Sequence, residues 1–219
     1  MNTKSEEDYL KCLYHLQQGN KSVSTNEIAN YLSMKPSSVS DMLKKLAEKK
    51  CVDYLKYKGS SLTKKGELIA LSVIRKHRLW ETFLVNKLGF SWSNVHNIAE
   101  QLEHVNSEEL IDKLDHFLAY PKIDPHGDPI PQKNGTIAEL NQKLLSELEY
   151  GEKGVITGIK KGTPSLLNFL DQKKIKLGDQ IQLISIIEFD QSAEVKIHKK
   201  NISLSEKICN NLLIETLND

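Results

Sequence analysis

The spacing of apolar residues changes once along this chain, and that change bounds the fold more tightly than any single motif. As far as Leu118 the apolar residues recur at intervals of three and four, as in YLKCLYHL, VSDMLKKL and the run from Leu68 to Leu88. Beyond Gly151 they alternate or are β-branched, in GVITGI, QIQLISII and AEVKIHK, with Gly-containing turns between and one helical stretch, PSLLNFLDQ. A period near 3.6 followed by a period near 2 predicts a mainly α protein with a small β part. Short strands separated by turns place a small β-barrel at residues 150–219. The segment PKIDPHGDPIPQKNG, broken by Pro, Gly and Asp, is the loop or linker before it. There is no internal repeat and no low-complexity tract.

Residues 1–72 carry the next pattern. EDYLKCLYHL sets Tyr9, Cys12, Leu13 and Leu16 on one helical face. Ser24 with Glu27 is a capping-box signature ahead of IANYL, and Pro36 opens a helix, PSSVSDMLKKLAEKK, whose buried face is Val39, Met42, Leu43 and Leu46. VDYLKYKGSSLT then predicts a hairpin turning at Lys58-Gly59-Ser60, and a long helix begins after Thr63. Helix, short helix, turn, helix and hairpin is the order of a winged helix-turn-helix. Its second helix would enter the major groove of double-stranded DNA. Ser37, Ser38, Ser40 and Asp41 would lie near base edges, and Lys35, Lys44, Lys45 and the wing residue Lys58 near phosphates. Further on, Asn106 with Glu109 reads as the cap of SEELIDKLDHFL.

Composition excludes several classes. No apolar run approaches the length of a bilayer span and MNTKSEEDY is not a signal peptide, so the expected location is the cytoplasm, with no membrane partner. Cys12, Cys51 and Cys209 are odd in number and far apart, which supports neither a disulfide framework nor a cysteine zinc site. The net charge of +1 hides an asymmetry: residues 1–78 hold 15 Lys and Arg against 8 Asp and Glu, while the remainder is acidic. A basic front is the electrostatic footprint expected of a DNA-binding segment.

Two further segments carry chemistry. In VHNIAEQLEHV, a helix at about 100° per residue lines up His96, Glu100, Glu103 and His104 on one stripe, opposite Val95, Ile98, Leu102 and Val105. In the long helix, His77 and Glu81 are one turn apart on the inner row with Val73, Ile74, Trp80 and Leu84. Buried titratable groups need partners, and HxxxE with HxxxExxEH offers six nitrogen and oxygen ligands able to converge on metal. His15, His116, His126 and His198 lack partners at ligand spacing and read as structural or surface residues.

Taken together, EDYLKCLY, MKPSSVSDMLKKL, YKGSSLTKKG, RKHRLWE, VHNIAEQLEH and DPHGDPIP resemble, in order, the landmarks of the diphtheria-toxin-repressor and manganese-transport-regulator (DtxR/MntR) family of metal-activated repressors. The resemblance implies a winged helix-turn-helix domain, a helical metal-binding and dimerisation domain at residues 73–140, and a C-terminal barrel of the Src-homology-3-like, FeoA type. It implies one metal site of His77, Glu81 and His96, and another of Asp8, Glu100, Glu103 and His104. The positions of Asp8 and Glu100 look like Met and Cys in iron-responsive members. Carboxylates there match manganese-responsive members, since hard oxygen donors suit Mn²⁺. Three departures stand out. Lys11 occupies a place where a binuclear manganese regulator can have Glu. Gly162 to Ser165 stand where some long members supply a barrel ligand. Asp41 implies an operator unlike that of members with Lys or Gln there.

The expectation is therefore a homodimeric, non-enzymatic repressor, activated by Mn²⁺, that binds palindromic operators of metal-uptake genes. Fe²⁺ is the alternative corepressor, and Zn²⁺ or Co²⁺ would substitute in vitro. A metal-dependent hydrolase is the alternative of another class; it is disfavoured because no nucleophile or base motif accompanies the ligands.

Overall fold

Thr3 starts the first helix, α1 (Lys4–Leu16), through a capping box: its hydroxyl accepts from Glu6 N–H, and Glu6 Oε2 accepts from Thr3 N–H at 2.9 Å. This is the start of a computed structural model that describes residues 2–17, 22–55, 58–92 and 94–217. The chain forms two compact units. The first is residues 1–77 with 101–107 and 131–136; the second is residues 78–100 with 108–130 and 137–219.

In the first unit, α2 (Thr25–Leu32) opens with the Ser24–Glu27 box expected for it, and α3 (Pro36–Glu48) with Pro36 in its first turn. Ser33, in the left-handed conformation at φ 54°, ends α2 and sets the turn into α3. Leu10, Leu13, Ile28, Val39, Leu43, Leu46 and Val52 are buried together, so the apolar faces of the three helices meet in one core. The wing is β1 (Val52–Leu55) against β2 (Gly59–Leu62), antiparallel. Gly59 and Ser60, expected in its turn, lie in β2 instead. Gly59 pairs with Leu55, and Ser60 pairs with Tyr54 on one side and exchanges two backbone hydrogen bonds of 2.8 Å with Val23 on the other. That second partner draws Gly59 and Ser60 into the strand; residues 56 and 57 lie outside the described residues.

The long helix α4 (Lys64–Leu88) begins in the first unit, where Gly66 lets it approach the end of α3. A Cβ at Gly66 would stand 1.9 Å from the Cys51 carbonyl oxygen.

Glu6 is the unusual member of this unit. Its carboxylate is wholly buried yet bridges to α3, with Lys49 Nζ 2.8 Å from both oxygens and Lys45 Nζ 3.1 Å from Oε1. Burial alone would raise its pKa. The hydrogen bonds from Lys49, Thr3 N–H and Lys45 outweigh burial and hold it at about 2.

In the second unit, α5 (Val95–Leu102) buries Val95 and Ala99, the rest of α4 and α6 (Glu108–Phe117) bury Leu79 and Ile111 with Leu114 and Ile130, and Phe83 lies edge-on to Phe117. The cap of α6 falls one residue later than expected. A turn closed by Val105 N–H on the Leu102 carbonyl delays the helix to Glu108, so Ser107 rather than Asn106 precedes it.

The remaining strands are β3 (Lys143–Leu144), β4 (Lys153–Ile159), β5 (Gln180–Ile186), β6 (Ala193–Ile197), β7 (Lys200–Leu204) and β8 (Leu212–Thr216). They form one antiparallel sheet in the order β3-β8-β4-β5-β6-β7, with α7 (Pro164–Lys173) after β4 and a single turn, α8 (Glu206–Cys209), before β8. Alternate residues such as Ala193, Val195 and Ile197 face the core, and bulges at Ile156/Gly158 and Leu183/Ser185 bend the sheet around it.

The loop before the barrel docks on β4 by backbone. Ile159 N–H donates to His126 O at 2.8 Å, and a Cβ at Gly127 would stand 2.0 Å from Gly158 Cα.

Two outcomes are expected from these contacts. Gly66→Ala should destabilise the protein by about 1–3 kcal/mol, because backbone rather than a flexible side chain must move; urea denaturation measures it. Glu6 has a folded pKa below its ordinary 4.5, so its contribution is complete above 4.5 and is lost as pH falls toward about 2. Stability curves at successive pH values should therefore show an acid limb in that window, shallower in Glu6→Gln than in the wild type.

Candidate functional site

The helical stripe drawn from sequence does not extend to its last two members. α5 ends at Leu102, and Glu103 and His104 lie in the turn that follows. Ion pairs in the first unit account for the break. Glu103, 1 % exposed, accepts from Lys11 Nζ at 3.0 and 2.8 Å and faces His77 Nδ1 through Oε2. Burial pushes the Glu103 carboxyl up, but His77 and Lys11 outweigh it and the net shift is downward.

His104 faces α1 through both ring nitrogens. Nδ1 lies 2.7 Å from Glu7 Oε2, a hydrogen bond in which the ring donates to the carboxylate. Nε2 lies 3.0 Å from Asp8 Oδ1 and 3.5 Å from Glu103 Oε1. Consecutive residues on α1 thus reach the two sides of one imidazole. Asp8 is pushed above the ordinary carboxylate range, first by burial and then by the Glu103 charge, against the pull of His104, Lys4 and Lys11.

Asp8, Glu103 and His104 each present a ligand atom within 4.8 Å of the others. The fit to a cation is visible in His104 Nε2, which is buried and, among the described residues, makes no hydrogen bond while facing two carboxylate oxygens. Such a nitrogen is left unsatisfied unless a proton or metal lies between it and the oxygens. Glu7 supplies the outer partner that metal-bound histidines ordinarily have. Sequence spacing missed Glu7 because its partner lies 97 residues away.

The second unit holds the remaining predicted ligands. Glu81, 2 % exposed, directs Oε1 to His96 Nδ1 at 3.4 Å and Oε2 to His126 Nδ1 at 3.5 Å. Glu100 is exposed and faces His96 Nε2 at 3.4 Å across one turn of α5. His77 stands one turn before Glu81 on α4.

His126 is not a bystander, contrary to the expectation from spacing. With Asp124 and Glu81 it forms a further group able to hold a metal ion. The Asp124 carboxylate accepts from His126 N–H at 2.8 Å and Asp128 N–H at 2.9 Å, which fixes the loop. Burial, then Asp128 and Glu81, push Asp124 up to about 7 despite Arg78 and His126. Burial alone would lower the His126 pKa, but Glu81 and Asp124 push it up to about 9. The segment holding DPHG is expected as a loop or linker; its docking on β4 accompanies the approach of its histidine to Glu81. Thr163 and Ser165, at the place of the barrel ligand in some long members, belong to the cap of α7.

On α3, Lys35, Ser37, Ser38, Asp41 and Lys44 are exposed and Ser40 is half-buried; Lys58 is exposed on the wing. Lys45 on α3 is exposed as well, and several of these side chains have partners already, Ser40 donating to the Pro36 carbonyl at 3.0 Å. Asp41 pairs with Lys44 at 3.1 Å within the helix, and Lys45 pairs with Glu6. The Asp41 anion is thus partly neutralised by its neighbour.

Comparison with known proteins agrees with this layout. Family models match in succession: the DNA-binding domain of iron-dependent repressors at residues 1–60, their metal-binding and dimerisation domain at 63–132, and the FeoA domain at 143–216. A helix-turn-helix-type regulator, MntR of Oceanobacillus iheyensis, is 36 % identical over 57 % of this chain and 84 % of its own. The iron-dependent repressor IdeR of Mycobacterium tuberculosis is 34 % identical over 57 % of this chain and 54 % of its own. A solved manganese-dependent transcriptional repressor in complex with manganese superposes with a TM-score of 0.80 at 33 % identity, covering 97 % of this chain and all of that one. The chain belongs to the DtxR/MntR family and is a metal-dependent transcriptional repressor.

Proposed function

We propose that the protein is a homodimeric repressor activated by Mn²⁺, and that it reads palindromic operators of metal-uptake genes through α3 and the wing. The observation that carries this reading is His104 Nε2, buried without a hydrogen bond and facing Asp8 and Glu103 oxygens. In this reading Asp8, Glu103 and His104 hold one ion. A second position centres on Glu81, with His77 one turn before it and with His96 and His126 facing its two oxygens.

The donors argue for manganese. The described metal-capable groups contain only carboxylate oxygens and imidazole nitrogens. Cys12, Cys51 and Cys209 are buried and belong to none of those groups. Oxygen-rich sites suit Mn²⁺, whereas sulfur donors favour softer ions. Fe²⁺ is the nearest alternative. Zn²⁺ and Co²⁺ bind such donor sets more tightly than Mn²⁺ does and would occupy them in vitro.

A divalent cation bound here supplies positive charge shared by Asp8, Glu103 and His104. The residues do the rest. Asp8 belongs to α1, whose apolar face packs in the same core as α3, so the carboxylate moves with the DNA-reading helix. Glu103 and His104 belong to the segment after α5. Holding Asp8 to them selects one placement of α1, and operator binding must in turn tighten metal binding by the same factor.

Asp8→Ala should abolish the metal-induced gain in operator affinity, about 5-fold to 150-fold for couplings of this kind, while sedimentation shows the dimer intact. An unchanged Mn²⁺ titration of DNA binding in that variant would remove Asp8 from the site. Glu7→Gln should weaken Mn²⁺ binding about 10-fold to 100-fold in calorimetry, the usual loss when the outer partner of a ligating histidine is removed. Wild-type affinity in Glu7→Gln would mean that His104 needs no such support.

A further inference from the structure

Glu6 and Asp8 are two residues apart on α1, about 200° around the helix, and so lie on opposite faces of its first turns. Glu6 faces α3 and Asp8 faces His104. The first turns of α1 therefore separate the lysines of the DNA-reading helix from the candidate metal ligands by the width of one helix.

We propose that Glu6 is a positioning residue for DNA recognition, the strut through which the metal-bearing turn of α1 sets the orientation of α3. The inference rests on the proposed reading of Asp8 as a metal ligand and of α3 as the DNA-reading helix.

The geometry of Glu6 exceeds what a cap or a surface ion pair requires. Its carboxylate accepts from Thr3 N–H, takes Lys49 Nζ on both oxygens at 2.8 Å, and takes Lys45 on Oε1 at 3.1 Å. The Glu6 side chain is wholly buried, while those of Lys49 and Lys45 keep 36 % and 52 % of their surface. The lysine stems thus reach in from solvent to an anion anchored by its own helix cap.

Stability is a poor reason for this arrangement. The shared core of Leu10, Leu13, Val39, Leu43 and Leu46 already holds α1 to α3. A buried charge costs desolvation, and what it adds over an apolar contact is a preferred geometry. Apolar faces tolerate small rolls and slides of one helix on another, whereas a carboxylate gripped from three directions does not. Lys45 and Lys49 lie one turn apart at the end of α3, so gripping both fixes the rotation of α3 about its own axis as well as its distance from α1.

This also revises the role of Lys45. Exposed on the polar face, it looks like a phosphate contact; held by Glu6, it transmits orientation instead.

The test uses the full-length protein and a DNA duplex that the wild type itself selects from a random-sequence pool in the presence of Mn²⁺. Duplex affinity is measured with and without Mn²⁺ for the wild type, Glu6→Gln, Lys49→Gln and the double variant. Mn²⁺ binding to each without DNA is measured by calorimetry. Gln at position 6 retains the reciprocal cap to Thr3, and Lys49 is partly exposed, so at least one of the two single variants folds.

Each single variant should bind Mn²⁺ as the wild type does, yet lose about fivefold or more of the Mn²⁺-induced gain in duplex affinity. The double variant should lose no more than either single one, because both remove the same link. Hydrogen exchange should show Mn²⁺ slowing the amides of α3 in the wild type and not in the variants.

A full Mn²⁺-induced gain in Glu6→Gln and Lys49→Gln would overturn the proposal. So would equal losses with and without Mn²⁺, the mark of a merely structural residue, or losses that add in the double variant. A wild type whose duplex affinity ignores Mn²⁺ would instead overturn the proposed function on which the inference rests.

Discussion

An imidazole gripped from both sides by consecutive carboxylates is the interaction on which the functional reading depends. With Glu7 accepting from Nδ1–H, the second nitrogen of His104 faces Asp8 and Glu103. A lone pair facing carboxylate oxygens in a buried place is repulsive until something positive stands between them. The surrounding charge leaves room for it: Glu7, Asp8 and Glu103 bring three negative charges, against which the ion pairs of this cluster set Lys11 and Lys76. Lys11 grips Glu103 bidentately, and Lys76 Nζ stands 4.0 Å from Glu7, so the cations flank the imidazole rather than cover Nε2. The protein supplies fixed counter-ions for the outer carboxylates and leaves the inner face to a ligand.

The departure at position 11 acquires a physical meaning here. A carboxylate there would face Glu103 and require a second cation to relieve the repulsion. The ammonium instead completes an ion pair with it, and Glu103 keeps its charge while buried, its pKa held down by His77 and Lys11. Glu103 thereby joins His77 at the end of the first unit to α1, using hydrogen bonds where a bridging metal would otherwise be needed.

How far sequence reveals such a site depends on how the ligands are delivered. The helix pattern, the Ser24–Glu27 box, the start of α4 after Thr63 and the strands beyond Gly151 are local, set by periodicity and capping, and they stand in the structure as read. Burial of His77 and Glu81 was legible because both fall on the apolar row of α4. The stripe of α5 misled at its end, since Glu103 and His104 leave the helix for ion pairs with Lys11 and Glu7 that no local spacing announces. Ser60 lies in a strand rather than in the wing turn, with a second strand partner in Val23. His126 has no neighbour at ligand spacing in the sequence. Its partner Glu81 is 45 positions earlier, and a glycine that admits no Cβ seats its loop on β4.

The three acidic residues of α1 show how one turn of helix serves several distant parts of the chain. Glu6 reaches α3, Glu7 reaches one side of His104, and Asp8 reaches the other. Successive helical positions point about 100° apart, so three adjacent residues face three directions without any change of backbone. Glu6 is itself the N3 residue of the capping box, and its loss would fray the turn that carries the other two. A carboxylate on a frayed turn would sample many positions and discriminate poorly between arrangements of the DNA-reading helix. On the proposed function, metal at Asp8 would act on α3 from a turn that the hydrogen-bond pair between Thr3 and Glu6 holds in place.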